Sequence, residues 1–281
     1  MRWVERVRAK SVPHERRVVA RDFTEFFRQT PLERYRWAYR HLAHVQGPHL
    51  DLGCNVGGFT SALATGSNRW TVGVDVPGVE LPSAHQAAEL VTANLDSGLP
   101  FVASSFASVS LLDVLEHVAD DVALLIEARR VLCPGGVLVV TVPAQHRWSI
   151  LDPDDALFRF PRLHRLAWSL RFGRLGYAKR FTINDRGVIG DIAAVRGGHT
   201  NYRVPDLSDR VQSAGFRIDR IYTSGRWFRW WQLGSLMLPG GLGRLFDAGL
   251  RRDGQRSTYE LSPNETQSRG GSLFVLATAL G

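Results

Sequence analysis

Short apolar runs alternate along this chain with segments of helical spacing. Residues 70–75 and 137–143 are rich in β-branched side chains, and in 49–52 two leucines flank an acid, so all three runs are predicted as buried strands. Residues 119–132 are predicted as a helix, and 204–215 as a helix that starts with an acidic turn and ends at a glycine. Strands that alternate with helices are typical of an α/β fold built on a parallel sheet.

A glycine-rich turn follows the first predicted strand. Gly53, Gly57 and Gly58 form the pattern G-x-x-x-G-G, and glycine lets the backbone approach a ligand without obstruction by a Cβ atom. The dinucleotide fingerprint needs a further glycine where Asn55 stands, which disfavours an NAD-dependent oxidoreductase. Asp51, two residues before the first glycine, favours a ligand that carries an amine.

A second acid, Asp75, ends the predicted strand that follows the glycine turn. An acid at the carboxyl end of the second strand of an α/β sheet is placed to accept hydrogen bonds from both ribose hydroxyls of a nucleoside. The second acid therefore favours a nucleoside-containing ligand.

Five segments taken together resemble class I S-adenosylmethionine-dependent methyltransferases, in particular the ubiquinone- and menaquinone-biosynthesis type. In order they are D-L-G-C-N-V-G-G from Asp51, V-D ending at Asp75, N-L-D-S-G-L-P-F from Asn94, D-V-L-E-H-V from Asp113 and R-V-L-C-P-G-G-V-L from Arg130. The resemblance is strong over 45–145 and weaker over 199–224 and 272–280. It implies a Rossmann-like α/β fold: a seven-stranded, mostly parallel sheet with an antiparallel last strand, helices on both faces and a substrate-binding insertion.

The resemblance implies S-adenosylmethionine as cofactor and S-adenosylhomocysteine as product. Asp51 and the glycine turn would hold the amino-acid end, and Asp75 the ribose. Asn94 stands where the family usually has an aspartate facing the adenine amine, and its side-chain oxygen can still accept that hydrogen bond. Leu95 would contact the adenine ring. The predicted cofactor-binding residues are Asp51, Gly53, Cys54, Asn55, Gly57, Gly58, Asp75, Val76, Asn94, Leu95, Asp113 and Val114.

Three histidines are candidates for the catalytic base. His117 follows the fourth predicted strand beside the methyl donor, and His146 and His199 lie in the long segment after the fifth. A histidine that is neutral near pH 7 can take a proton from a hydroxyl while the methyl moves. For His146 and His199 a structural or surface role, and for His117 packing beside the cofactor, is the more common explanation of such a residue. The aspartates within 152–155 lack a partner histidine, so no metal site is predicted.

The resemblance also implies the domain organisation. Residues 1–45 would form an N-terminal helical cap and 46–281 the methyltransferase domain, with a lid over the acceptor at about 144–204 and an aromatic and loop insertion at about 226–271. The aromatic stripes of the first segment are also explained by ordinary core packing. Four aromatics and two arginines within 226–239 indicate burial or a homodimer contact, with peripheral membrane contact as the alternative.

Charge is distributed unevenly along the 281 residues. The net charge is +8, but residues 49–143 carry ten Asp/Glu against three Lys/Arg, whereas 1–48 and 144–204 each carry eleven Lys/Arg against five Asp/Glu. The acidic block suits a sulfonium cation, and the basic blocks favour an anionic acceptor. Because only Lys10 and Lys179 are lysines, a GC-rich genome explains the arginines equally well.

Two further features bear on the compartment. Cys54 and Cys133 lie inside motif turns without metal-ligand spacing, and no disulfide between them is expected. The arginine-rich start lacks an apolar leader, and no run of 18 apolar residues occurs. These features predict a cytoplasmic protein without a transmembrane helix.

The sequence therefore predicts methyl transfer to a small acceptor that is anionic, glycosylated or lipid-linked, as in natural-product or glycan biosynthesis. The D/N/S-P-P-Y/F motif of many amino-methyltransferases is absent where Asp113 begins D-V-L-E, so oxygen is the first choice of acceptor atom and carbon the second. Two alternatives stay open. One is an RNA methyltransferase, favoured by the basic charge but lacking an RNA-binding signature, and the other is a non-catalytic binder of the cofactor.

Overall fold

The computed structural model describes residues 26, 33–55, 57–76, 88–145, 160–177, 200–224, 245, 258–262, 265, 268 and 270–281. Within them the chain forms an eight-stranded sheet in the order β3-β2-β1-β4-β5-β8-β6-β7. The strands are β1 (His49–Leu52), β2 (Thr71–Asp75), β3 (Glu89–Thr92), β4 (Phe106–Leu112), β5 (Leu132–Pro143), β6 (Phe216–Ser224), β7 (Thr258–Glu260) and β8 (Ser272–Ala279).

The first five strands run parallel, and β8 runs antiparallel to both of its neighbours, β5 and β6. The predicted α/β sheet and its antiparallel last strand are thus confirmed. The sheet has one strand more than predicted, because Thr258–Glu260 pairs with β6 and forms a further strand at the edge. That short segment lies in a polar stretch predicted as a loop, where a run of three residues is too short to show a strand pattern.

Helices cover both faces of the sheet. They are α1 (Glu33–Leu42), α2 (Gly58–Ser67), α3 (Asp121–Val131), α4 (Pro161–Tyr177) and α5 (Val204–Ser213). Trp37 of α1 and Phe59 of α2 belong to one buried cluster with Leu112 of β4, whereas Leu111 belongs to the larger cluster with α3 and α5. Successive strand residues thus face opposite layers, and β4 is buried on both sides.

The fold places the ends of three parallel strands at one edge. The carboxyl ends of β1, β2 and β4 are adjacent because these strands pair directly. Gly53 follows the first of them, Asp75 ends the second and Asp113 follows the third. In open α/β sheets ligands bind at this edge, outside the carboxyl ends of the strands.

The long insertion leaves and rejoins the sheet at one point. Ala144, just after β5, forms a parallel bridge with Tyr202. The Gln145 N–H donates to the Tyr202 carbonyl at 2.7 Å, and the Tyr202 N–H donates to the Pro143 carbonyl at 2.9 Å. The insertion therefore begins and ends at the carboxyl edge of the sheet, beside the ends of β1, β2 and β4.

Helix α4 lies within this insertion and has apolar residues on two opposite faces. His164 and Trp168 are buried, whereas Leu163, Leu166 and Leu170 are 64%, 57% and 80% exposed. The exposed leucines fall on one side of the helix at spacings of three and four residues. Among the described residues, no helix is both long enough and apolar enough to cross a membrane.

Candidate functional site

The turn between β1 and α2 depends on glycine for two separate reasons. Gly53 and Gly57 have φ of +71° and +73°, a left-handed backbone that disfavours side chains. A Cβ atom at Gly53 would also lie 2.4 Å from Cγ2 of Val114. The Gly53 and Cys54 N–H groups donate to the Val74 carbonyl at 2.8 and 3.0 Å, which holds the turn against the end of β2.

Asp75 is fixed by backbone donors from the same turn. Its Oδ2 accepts the Asn55 N–H at 2.5 Å, and its Oδ1 accepts the Val76 N–H at 2.8 Å. The side chain remains partly exposed. Each carboxylate oxygen has further lone pairs, so both can accept a ligand hydroxyl without giving up the backbone contacts. The geometry is compatible with the predicted ribose contact, which stays a prediction, as do the assignments of Asn55 and Val76.

Asp51 lies beneath the turn. The residue is 3% exposed, and its Oδ2 and Oδ1 accept the Thr60 and Ser110 hydroxyls at 2.7 and 2.6 Å. Burial raises the pKa of Asp51 to about 6, and the two hydrogen bonds oppose that rise. Because Asp51 is buried beneath the turn, it would act on a bound amine through its charge.

A buried histidine extends this polar network. His49 Nε2 lies 3.0 Å from the Ser110 hydroxyl, and its Nδ1 lies 2.9 Å from the Ser108 hydroxyl. Since Ser110 donates its proton to Asp51, it must accept from Nε2–H, which assigns the proton of the neutral ring to Nε2. Burial lowers the pKa of His49 well below 6.5, so the ring is neutral at physiological pH. The sequence analysis did not identify this network.

Asp113 connects the end of β4 to the N-terminal helix. Its backbone has φ of +58°, its Oδ1 accepts the Thr141 hydroxyl at 2.6 Å, and its Oδ2 accepts a hydrogen bond from Arg34 Nη1. Burial alone would lower the pKa of Arg34, but the charge of Asp113 raises it above its usual value. The sequence analysis missed Arg34, since no local spacing marks an arginine whose partner lies 79 residues away.

The region predicted to contact adenine is a short 3-10 turn, Leu95–Ser97. Asn94 is exposed and caps this turn, because its Oδ1 accepts the Asp96 N–H at 3.0 Å. Leu95 is 7% exposed and belongs to the larger core cluster. An adenine contact to either residue stays a prediction, and Asn94 would make it with its second lone pair or its amide group.

One of the three candidate histidines lies at the carboxyl edge. His117 ends the 3-10 turn Leu115–His117, three residues after Val114, and is partly buried. His146 and His199 lie outside the described residues, so their role as the base stays a prediction. Within the described part of the chain, no three His, Cys, Asp or Glu side chains are grouped to hold a metal ion.

Comparison with known protein families identifies one domain within this chain. Residues 50–140, about a third of the chain, match a family described as a methyltransferase domain. A curated relative, an uncharacterized 37.1 kDa protein in transposon Tn4556 of Streptomyces fradiae, is 34% identical over 134 residues. That match covers 45% of this chain and 39% of the relative. The chain thus spans about two fifths of the length of this relative.

Solved structures share the fold over most of their length. A putative methyltransferase of Haloferax volcanii, solved with the Trm112 methyltransferase activator, has a TM-score of 0.53 at 15% identity, covering 93% of this chain and 94% of that one. Geranyl diphosphate C-methyltransferase from Streptomyces coelicolor A3(2) has a TM-score of 0.52 at 13% identity, covering 96% and 88%. At these identities the similarity shows the Rossmann-like fold, and it does not single out the ubiquinone and menaquinone group.

Proposed function

We propose that this chain, whose residues 50–140 match a methyltransferase domain, transfers a methyl group from S-adenosylmethionine to a small acceptor. The domain match supports S-adenosylmethionine as the cofactor, as the sequence predicts. The observation that carries the proposal is the placement of Asp75, whose carboxylate is held by two backbone N–H groups beside the glycine turn. This is the arrangement required for a ribose whose attached amino acid lies along that turn.

The charge at the carboxyl edge suits a sulfonium cofactor. Asp51 lies one residue before the end of β1, Asp75 ends β2, Asp113 follows β4, and Glu116 is buried in the next turn. Negative charge at this edge attracts a cation and stabilises its binding. When bound, the cofactor supplies an electrophilic methyl group. The chain would hold that methyl in line with the acceptor, and such positioning supplies much of the rate.

Oxygen is the acceptor atom we favour, with carbon second. Methylation of a hydroxyl releases its proton, and His117, His146 or His199 would accept it. The position of His117 at the carboxyl edge supports this assignment. The fold itself does not fix the atom, since structures of this fold include a C-methyltransferase and a putative sarcosine dimethylglycine methyltransferase from Galdieria sulphuraria.

An acceptor with both apolar and anionic parts fits the insertion best. Helix α4 exposes Leu163, Leu166 and Leu170, and its sequence contains four arginines and no acid. Apolar side chains among arginines favour a lipid-linked or glycosylated molecule with a phosphate or carboxylate, met in solution or at a membrane surface. A methyltransferase acting on RNA would instead show steep loss of RNA binding as salt increases.

Calorimetric titration with S-adenosylhomocysteine tests the cofactor assignment. We expect micromolar binding by the wild type and at least about tenfold weaker binding by Asp75→Ala, because hydrogen bonds to a charged group are lost. Asp209→Ala is the matched control, since Asp209 is exposed on α5, and its affinity should equal that of the wild type. Folded wild-type protein that fails to bind S-adenosylhomocysteine would overturn the proposal.

A further inference from the structure

We propose that Arg34 binds the α-carboxylate of S-adenosylmethionine. The inference rests on the proposed function and extends it to the N-terminal helix. The amino-acid end of the cofactor carries an ammonium and a carboxylate, so a site that attracts the first must also neutralise the second. The acids at the carboxyl edge repel a carboxylate, and Arg34 brings a positive charge to that edge.

Arg34 is linked to the first glycine of the turn through two successive residues at the end of β4. Its Nη1 donates to Asp113, the residue that follows β4. The next residue, Val114, packs so closely over Gly53 that a Cβ atom there would lie 2.4 Å from Val114 Cγ2. The Arg34 guanidinium thus binds the residue next to the one that packs over Gly53, at the carboxyl edge where the amino-acid end is expected.

The residue that follows Arg34 packs on the first turn of α2. The neighbouring Tyr35 stacks on Phe59, with ring centroids 5.3 Å apart and an interplanar angle of 25°. Phe59 is the second residue of α2, and the N-cap residue of this helix, Gly57, has no side chain that could accept hydrogen bonds from its first N–H groups. The first N–H groups of a helix and its dipole attract an anion. The helix that carries Arg34 thus packs against the start of α2, and both the guanidinium and the first turn of α2 favour a carboxylate.

Arg34 also has hydrogen-bonding capacity that the protein does not use. Its Nε is buried and has no hydrogen-bond partner, although the side chain as a whole is 29% exposed. A buried donor without a partner is unfavourable, and a guanidinium has five N–H groups, enough for a second carboxylate besides Asp113. A ligand carboxylate would satisfy this donor, while Asp113 keeps the guanidinium in place.

The test pairs a protein variant with a ligand that lacks the carboxylate. Wild type and Arg34→Met are each titrated calorimetrically with S-adenosylhomocysteine and with its decarboxylated analogue, S-adenosyl-3-thiopropylamine. We expect Arg34→Met to weaken binding of S-adenosylhomocysteine at least about tenfold, because a charge-assisted contact is lost, and to change binding of the analogue less than about twofold. Arg40→Met, an exposed position on the same helix, should bind both ligands as the wild type does.

The outcomes separate this inference from the proposed function. Equal weakening of both ligands by Arg34→Met, or no weakening of either, would overturn the role of Arg34 while leaving cofactor binding intact. Failure of the folded wild type to bind either ligand would overturn the proposed function and the inference with it. If Arg34→Met does not fold, Arg34→Lys is used, which retains the charge and should show a smaller loss confined to S-adenosylhomocysteine.

Discussion

The Asp51 carboxylate accepts a 2.6 Å hydrogen bond from the Ser110 hydroxyl, which joins the adjacent strands β1 and β4 beneath the glycine turn. His49, two residues earlier on β1, contacts the same hydroxyl. A chain of hydrogen bonds thus connects a neutral imidazole to a buried carboxylate. Buried polar networks of this kind stabilise a structure only while each member keeps its partner.

Stability should depend on pH through Asp51. Its pKa of about 6 in the folded protein lies above its ordinary value of 3.8, so the folded state binds the proton more tightly than the unfolded chain. The stability that Asp51 contributes is therefore complete below pH 4 and is lost as the pH rises to 6, by about 3 kcal/mol. When both proteins are unfolded in urea between pH 4 and pH 7, the free energy of unfolding of Asp51→Asn should rise by this amount relative to that of the wild type. Parallel pH profiles for the two proteins would contradict the assignment.

Two glycine substitutions separate backbone strain from steric clash. Gly53 and Gly135 both have positive φ, but a Cβ atom at Gly135 meets nothing within 4 Å. Gly135→Ala should cost about 1 kcal/mol and leave S-adenosylhomocysteine binding unchanged. Gly53→Ala should cost about 1–3 kcal/mol more, because it forces Val114 to move, and should abolish binding. Thermal unfolding and calorimetry measure both effects, and equal losses would show that the Val114 contact is unimportant.

One histidine should account for proton removal. Each of His117, His146 and His199 is replaced by glutamine, with the exposed His44 as control. Loss of a general base should lower kcat by about 10²–10⁴-fold and leave the Kd for S-adenosylhomocysteine unchanged. Steady-state kinetics on an acceptor found by screening gives the first quantity and calorimetry the second. Unchanged kcat in all three variants would exclude histidine as the base.

The two cysteines should differ in reactivity. Burial raises the pKa of the Cys54 thiol, whereas Cys133 is partly exposed, and both are free thiols. Because the thiolate is the reactive form, iodoacetamide should modify Cys133 first in the native protein and both residues equally in urea. Mass spectrometry of a time course measures this. Equal native rates would show that the turn around Cys54 opens readily to solvent.

The glycine turn could be predicted because its requirement is local. Left-handed φ at Gly53 and Gly57 restricts residue choice at those positions alone, and the order of strands and helices follows from apolar periodicity. The confirmed fold therefore needed no knowledge of distant contacts. Asp75 is a similar case, since the end of a strand beside such a turn is a fixed place in this architecture.

The contacts missed by the sequence analysis are long-range. His49 meets Ser108 only because β1 and β4 pair in one particular register, and a serine in a strand carries no signal of that pairing. Arg34 belongs to a helix whose stripe of aromatics predicts packing but not where an arginine will reach. Asn94 is the opposite case, a short-range contact that the sequence analysis did not predict. Its side chain caps its own turn, and its assignment to the ligand stays a prediction.

The bridge between Ala144 and Tyr202 makes the insertion an exchangeable module. Tyr202 is further fixed by the hydrogen bond from its hydroxyl to Asp121 at 2.8 Å, so both ends of the insertion are anchored to the core. Since the entropic cost of closing a loop rises only slowly with its length, segments of very different size can occupy this place at similar cost. If the insertion binds the acceptor, as the sequence predicts, replacing this one segment would change the acceptor while the strands and the glycine turn stay the same.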